Sequence, residues 1–156
     1  MKKTLCAAFL CIFIVALSAV RIHSQAQQTQ DYQAIADKFF SMLRDGQSGE
    51  AIDYVFNTNP RMASMADQRE QVKAQFGSLQ KLVGSYVSHS KVAETNVAGM
   101  FVYQHYFVAY DRQPISLRLK FYKPGKTWLA YGLQFDADLT DEIQRQVDQN
   151  LYEQLK

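Results

Sequence analysis

Apolar positions along the chain follow a helical period, then a strand period, then a helical period again. Tyr32, Ile35, Ala36, Phe39 and Leu43 fall on one face of an amphipathic helix. Asp31 is placed to cap its start and Asp45-Gly46 to end it. A shorter helix from about Ser48 buries Ile52, Val55 and Phe56, and Asn57 to Pro60 breaks the pattern. A third helix is predicted over Met62 to Leu82, with Met65, Val72, Phe76, Leu79 and Val83 as its stripe.

From Gly84 the period becomes two. Four strands are predicted, at Ser85 to Asn96, Met100 to Asp111, Ile115 to Lys123 and Thr127 to Asp136. Asn96, Gly99, the Asp111-Arg112-Gln113-Pro114 stretch and Pro124-Gly125-Lys126 mark the turns. The third strand alternates Ile115, Leu117, Leu119 and Phe121 with Ser116, Arg118, Lys120 and Tyr122. In the fourth, Leu129, Tyr131, Leu133 and Phe135 are expected on one face, opposite Trp128, Ala130 and Gln134. The second strand is apolar on both faces, which points to a central place in the sheet or to a second interface. A last helix opens at Thr140 with Asp141 and Glu142 against its positive dipole end. Ile143, Val147, Leu151 and Leu155 follow at spacing four, with Tyr152 beside them. The fold class is therefore α+β, with N-terminal helices on a four-stranded antiparallel sheet and an extra C-terminal helix.

The start of the chain has a different character. Lys2 and Lys3 precede an uncharged apolar run from Leu5 to Val20, which Arg21 ends. A basic start before a short apolar run is the layout of a secretory signal peptide. Ser24 and Ala26 place small residues three and one positions before Gln27, so cleavage is expected there, with Ala19 as the weaker choice. The run falls short of the roughly 20 residues a comfortable membrane span needs, which makes an uncleaved N-terminal anchor the alternative. Cys6 and Cys11 lie inside the run, preceded by Leu5 and Leu10, which disfavours lipidation. The expected organisation is a signal peptide over 1–26, a polar leader over 27–30, one domain over 31–138 and an amphipathic helix over 139–156. The product is expected to be exported, to a periplasm or outside the cell, with no later membrane span.

Export changes the meaning of the composition. The chain of 156 residues carries 17 Lys and Arg against 15 Asp and Glu, a net charge of +2. Lys2, Lys3 and Arg21 precede the cleavage site and no acid does, so 17 less 3 leaves 14 basic against 15 acidic residues. Both cysteines leave as well, which removes thiol catalysis, disulfides and Cys-ligated metals. Arg118, Lys120, Lys123 and Lys126 cluster late in the chain, but no wider basic field supports nucleic-acid binding.

Candidate chemistry is sparse. No HExxH, GxSxG or phosphate-binding loop occurs, and His89 and His105 have no acidic neighbour at ligand spacing, so no cofactor or metal is expected. Asp111, Asp136, Asp138 and Glu94 have ordinary turn, strand-end or solvated readings. His89 is read as a surface strand residue. His105, near Tyr103 and Phe107, has the residue type for a general base and also the ordinary place of a structural strand histidine. Tyr106, Tyr122 and Trp128 are assigned the same polar-facing parity as Arg118 and Lys120, which makes a binding or self-association face.

The element order resembles the NTF2-like, or cystatin-like, superfamily. The resemblance lies in the opening helix ending at Asp45-Gly46, the short helix Gly49 to Phe56, and the third helix leading into Leu82-Val83-Gly84-Ser85-Tyr86. The hairpin Lys123-Pro124-Gly125-Lys126-Thr127-Trp128 adds to it. The resemblance covers about Asp31 to Asp138. It implies a strongly curved sheet forming a cone round a helix, a cavity at the open end of the cone, and a convex side that often serves as a dimer interface. Many secreted bacterial members have no assigned activity, while others are isomerases, dehydratases or hydrolases using His, Tyr or carboxylates in the cone. The expected function is an exported binding or interaction module, holding an apolar ligand in the cone or forming a homodimer through the sheet. The alternative is a lyase or isomerase using His105 with Tyr103 or Tyr131.

Overall fold

A computed structural model describes residues 31–154. The expected signal peptide and polar leader, Leu155, and the side chains of Asp141 and Glu142 lie outside the described residues. The fold is α+β, with helices α1 (Tyr32–Arg44), α2 (Ser48–Asn57), α3 (Pro60–Ala63) and α4 (Ala66–Val83) ahead of the sheet. Strands β1 (Tyr86–Val97), β2 (Phe101–Tyr110), β3 (Ile115–Tyr122) and β4 (Leu129–Asp136) follow, then helix α5 (Thr140–Gln154).

The apolar stripe of α1 is buried through Ile35, Ala36, Phe39, Phe40 and Leu43, and that of α2 through Ala51, Ile52, Val55 and Phe56. Each fully buried large apolar side chain stabilises by roughly 1.5–3 kcal/mol before entropy is counted. Asp31 stands at the N-cap of α1 without a side-chain capping bond. Gly46 closes that helix at φ +75°, a backbone state that suits glycine, and its N–H donates to the Leu43 carbonyl at 3.1 Å.

The predicted third helix is two helices. Asn59 caps α3 by accepting from the Arg61 N–H, and Pro60 occupies the first turn, where its missing donor costs nothing. The Ser64 hydroxyl then donates to the Arg61 carbonyl at 2.8 Å, and α4 restarts after Met65. Such a local side-chain bond competes with helix continuation. Lys73 Nζ reaches Asp53 at 2.9 Å and ties α4 to α2.

The strands pair antiparallel in the order β1-β2-β3-β4, an open meander with β1 and β4 as free edges. It is neither closed nor strongly curled, and it bears out the α+β layout without confirming the cone that the resemblance implies. Val102, Tyr106, Val108, Ile115, Leu117, Leu119, Phe121 and Ala130 form the sheet's side of the core with the helices.

Two face assignments differ from the expectation. Tyr106 pairs with Leu117, not with Arg118, and is only 2 % exposed. A bulge in β4 accounts for the other. Phe121 pairs with Ala130 and Lys120 with Gly132, so Tyr131 is an extra residue. Parity therefore reverses at Tyr131. Ala130 and Trp128 face the core before it, Leu133 and Phe135 pack on the core after it, and Tyr131 is 60 % exposed.

Candidate functional site

The outer face of the sheet holds Tyr103 and His105 from β2 and Arg118, Lys120 and Tyr122 from β3, as the pairing of Tyr103 with Lys120 and of His105 with Arg118 requires. Tyr106 and Trp128 are absent from it. Trp128 is 8 % exposed and meets the Tyr32 ring edge-on at 4.9 Å, while Tyr106 packs on Phe40 at 4.6 Å. The proposed five-residue face thus reduces to Arg118, Lys120 and Tyr122. Tyr131 joins them, its ring 6.4 Å from Tyr122 and 5.9 Å from Phe101.

His105 is 4 % exposed, and its Nε2 lies 2.8 Å from the hydroxyl oxygen of Ser116, itself 1 % exposed. Its ring meets Phe107 edge-on at 5.6 Å. A hydroxyl beside an imidazole is the contact of an activated nucleophile, but a nucleophile must also meet its substrate. Here both partners are covered, and the pair ties β2 to β3. Tyr103 shares the face with His105, whereas the Tyr131 ring is engaged by Phe101 and Tyr122. A shallow depression of about 510 Å³ lies over the face, lined by Tyr103, His105, Arg118, Lys120 and Gln134 of the sheet and by Arg145 and Gln149 of α5, with Ser116 not among its lining. The apolar stripe of α5 is not covered, and Ile143, Val147, Leu151 and Tyr152 are exposed.

A more enclosed cleft of about 300 Å³ opens on the other side of β4. The loop between α2 and α3 sets its position. The Asn59 amide donates to the Ala130 carbonyl at 2.8 Å, and the Thr58 hydroxyl accepts from the Ala130 N–H at 3.0 Å. These bonds satisfy the free edge of β4 just before the bulge. Beyond it α3 and α4 stand off from the strand, and Phe56, Met62, Met65, Val72 and Leu133 line the gap, with Gln68, Lys120, Tyr131, Gly132 and Gln134 at its polar margin. Two methionines make an adaptable apolar wall, because the thioether chain has several low-energy conformers. Of the residues expected to form a site, Lys120 and Tyr131 reach this cleft.

A polar cluster under the sheet went unread in the sequence. Gln104, fully buried, donates to Gln33 at 3.1 Å and to Glu94 at 2.9 Å, and accepts from the Tyr106 hydroxyl at 2.8 Å. Tyr32 and Lys91 also donate to Glu94. The Lys91 and Gln104 hydrogen bonds hold the Glu94 carboxyl below its ordinary range. Burial raises the Tyr106 phenol well above its ordinary value. His89 is not a free surface residue. It stacks on Phe40 at 3.8 Å, its Nδ1 lies 2.6 Å from the Tyr86 hydroxyl, and burial lowers its pKa. The only sequence sign of this cluster is a glutamine at a core-parity position of β2. Because its donors and acceptors pair internally, it holds α1 to the sheet and leaves no gap for a ligand.

Among the described residues, no group of three His, Cys, Asp or Glu side chains is arranged to hold a metal ion, and no helix is long and apolar enough to cross a membrane. No protein-family model, curated protein or solved structure matches the chain.

Proposed function

We propose that the chain is an exported binding module of the NTF2-like type that holds a small apolar ligand beside its sheet, in the cleft between α3, α4 and β4. The basic, apolar and small-residue pattern of residues 1–26 supports export, and helices followed by an antiparallel meander support the fold relationship. The observation that carries the binding reading is the half-enclosed cleft, whose Met62, Met65, Val72 and Leu133 are left partly uncovered. Its volume is at the lower end for small-molecule sites. The expected cone interior is a weaker candidate, because Phe39, Phe40, Tyr106 and Phe121 fill the space between helices and sheet.

Titration with the neutral fluorophore N-phenyl-1-naphthylamine tests this. A saturable rise in emission is expected, reduced by Met65→Gln and by Val72→Asp in proteins that keep the wild-type circular dichroism. An unsaturable signal, or one indifferent to both substitutions, would overturn the reading.

Self-association into a homodimer is a second reading, favoured by the aromatic group Phe101, Tyr122 and Tyr131 beside Arg118 and Lys120. Tyr131→Glu should then lower the mass seen by light scattering, and a wild type that is monomeric at high concentration excludes it. The lyase or isomerase reading draws less support, since His105 and Ser116 are covered.

A further inference from the structure

Lys120 belongs by register to the outer face of the sheet, opposite Tyr103 and Gly132. Its side chain lines the outer-face depression and also the cleft at the β4 edge, where it forms part of the wall. The route is across Gly132. The Cβ, Cγ and Cδ of Lys120 lie 3.8, 3.9 and 3.5 Å from the place where a side chain on residue 132 would begin. The bulge at Tyr131 and the bare backbone of Gly132 together let a long cationic side chain lie flat over the strand.

The cation has no protein counter-charge there. Lys73 pairs with Asp53 and Glu70, and Lys91 with Glu94. Among the described residues the Lys120 ammonium has no hydrogen-bond or ion-pair partner, and no Asp or Glu lines the cleft. Gln68 and Gln134, which can donate through their amides, stand on the same margin. An apolar slot with one uncompensated ammonium and two amides complements an apolar chain that ends in an anion.

Size narrows the class. The cleft, about 300 Å³, is at the lower end for small-molecule sites. That room suits one short chain with its head group at the polar margin. Resting on the binding function proposed above, we infer that the ligand is a single-chain amphiphilic carboxylate. Its chain lies among Met62, Met65, Val72 and Leu133, and its carboxylate meets the Lys120 ammonium.

Octanoate and octanol share a chain and differ in charge, so they test the inference on the purified protein. The readout is the methyl resonances of Met62 and Met65 during titration. Octanoate should bind about fivefold or more tightly than octanol, the range of a charge-assisted contact at a partly exposed site. Lys120→Met keeps the stem over Gly132 and removes the charge. It should weaken octanoate by a similar factor, leave octanol within about twofold, and leave the thermal midpoint unchanged. Equal affinities in the wild type, or a preference for octanoate that survives Lys120→Met, would overturn the carboxylate while leaving the cleft as an apolar site. Failure of both probes to shift either methyl resonance would remove the cleft as a site and this inference with it.

Discussion

The aliphatic stem of Lys120 rests on Gly132, with its Cδ 3.5 Å from the point where a side chain on that residue would start. That separation is an ordinary van der Waals contact, so there is room for a methyl group but not for a branched side chain. Gly132→Ala should therefore fold with unchanged or slightly higher stability, by up to about 1 kcal/mol, because it restricts the unfolded chain. Gly132→Val should lift the Lys120 stem and weaken octanoate binding. Urea unfolding and the methyl titration separate the two effects.

Gly84 is a position that alanine should not fill. It joins α4 to β1 at φ +92°, and an added Cβ would overlap the Asp111 carboxylate, which accepts from the Ser85 N–H at 3.0 Å. The Asp111 N–H donates in turn to the Ser85 carbonyl at 2.9 Å. Gly84→Ala is expected to cost about 2–4 kcal/mol in urea unfolding, through backbone strain and displacement of this carboxylate.

Tyr110 offers the opposite case. Its hydroxyl is buried without a hydrogen-bond partner among the described residues, and burial pushes its pKa up to about 12. Removing an unpaired buried hydroxyl relieves a desolvation cost. Tyr110→Phe should leave stability unchanged or raise it by about 1 kcal/mol. A loss above about 1 kcal/mol would reveal a partner for that oxygen.

Acid should destabilise the fold in two stages. The pKa of His89 is lowered by burial and by the Arg44 charge, so its contribution is complete above 6.5 and declines as pH falls through the folded value. The pKa of Glu94 is lowered by its Lys91 and Gln104 hydrogen bonds, so its contribution is complete above 4.5 and disappears as pH falls through its own folded value. Thermal midpoints across this range should show both steps. His89→Gln should remove the upper one and Glu94→Gln the lower.

Trp128→Ala would measure core packing, not association. With Trp128 against Tyr32 and only 8 % exposed, truncation should cost about 3–5 kcal/mol by urea unfolding. Tyr122 and Tyr131 are the exposed aromatics suited to an interface test.

Periodicity and turn residues together located α1, α2 and all four strands to within about two residues, and in α1, α2 and β3 the burial pattern follows the local geometry of one apolar face. β3 shows this most plainly, with Ile115, Leu117, Leu119 and Phe121 all fully buried. The helix predicted over Met62 to Leu82 was harder to divide, since the break at Ser64 depends on one hydroxyl bond that carries no periodic signal.

The candidate site was less legible. Lys120 and Tyr131 were both singled out in the sequence, yet no pattern joins them to Met62, Met65 and Val72, some sixty residues earlier in the chain. One inserted residue at Tyr131 reverses every later side chain of β4, and alternation cannot reveal an insertion without the partner strand. Local period and turn chemistry are enough to set the elements, their order and most of the core, because each of these is decided by residues close together in the chain. No local pattern shows that Tyr106 and Trp128 lie inside, that Glu94 and Gln104 share a polar cluster with Tyr32, or that Lys120 lines the cleft. Those outcomes depend on the register between strands and on where helices stand off from the sheet, and both are set by contacts between residues far apart in the chain.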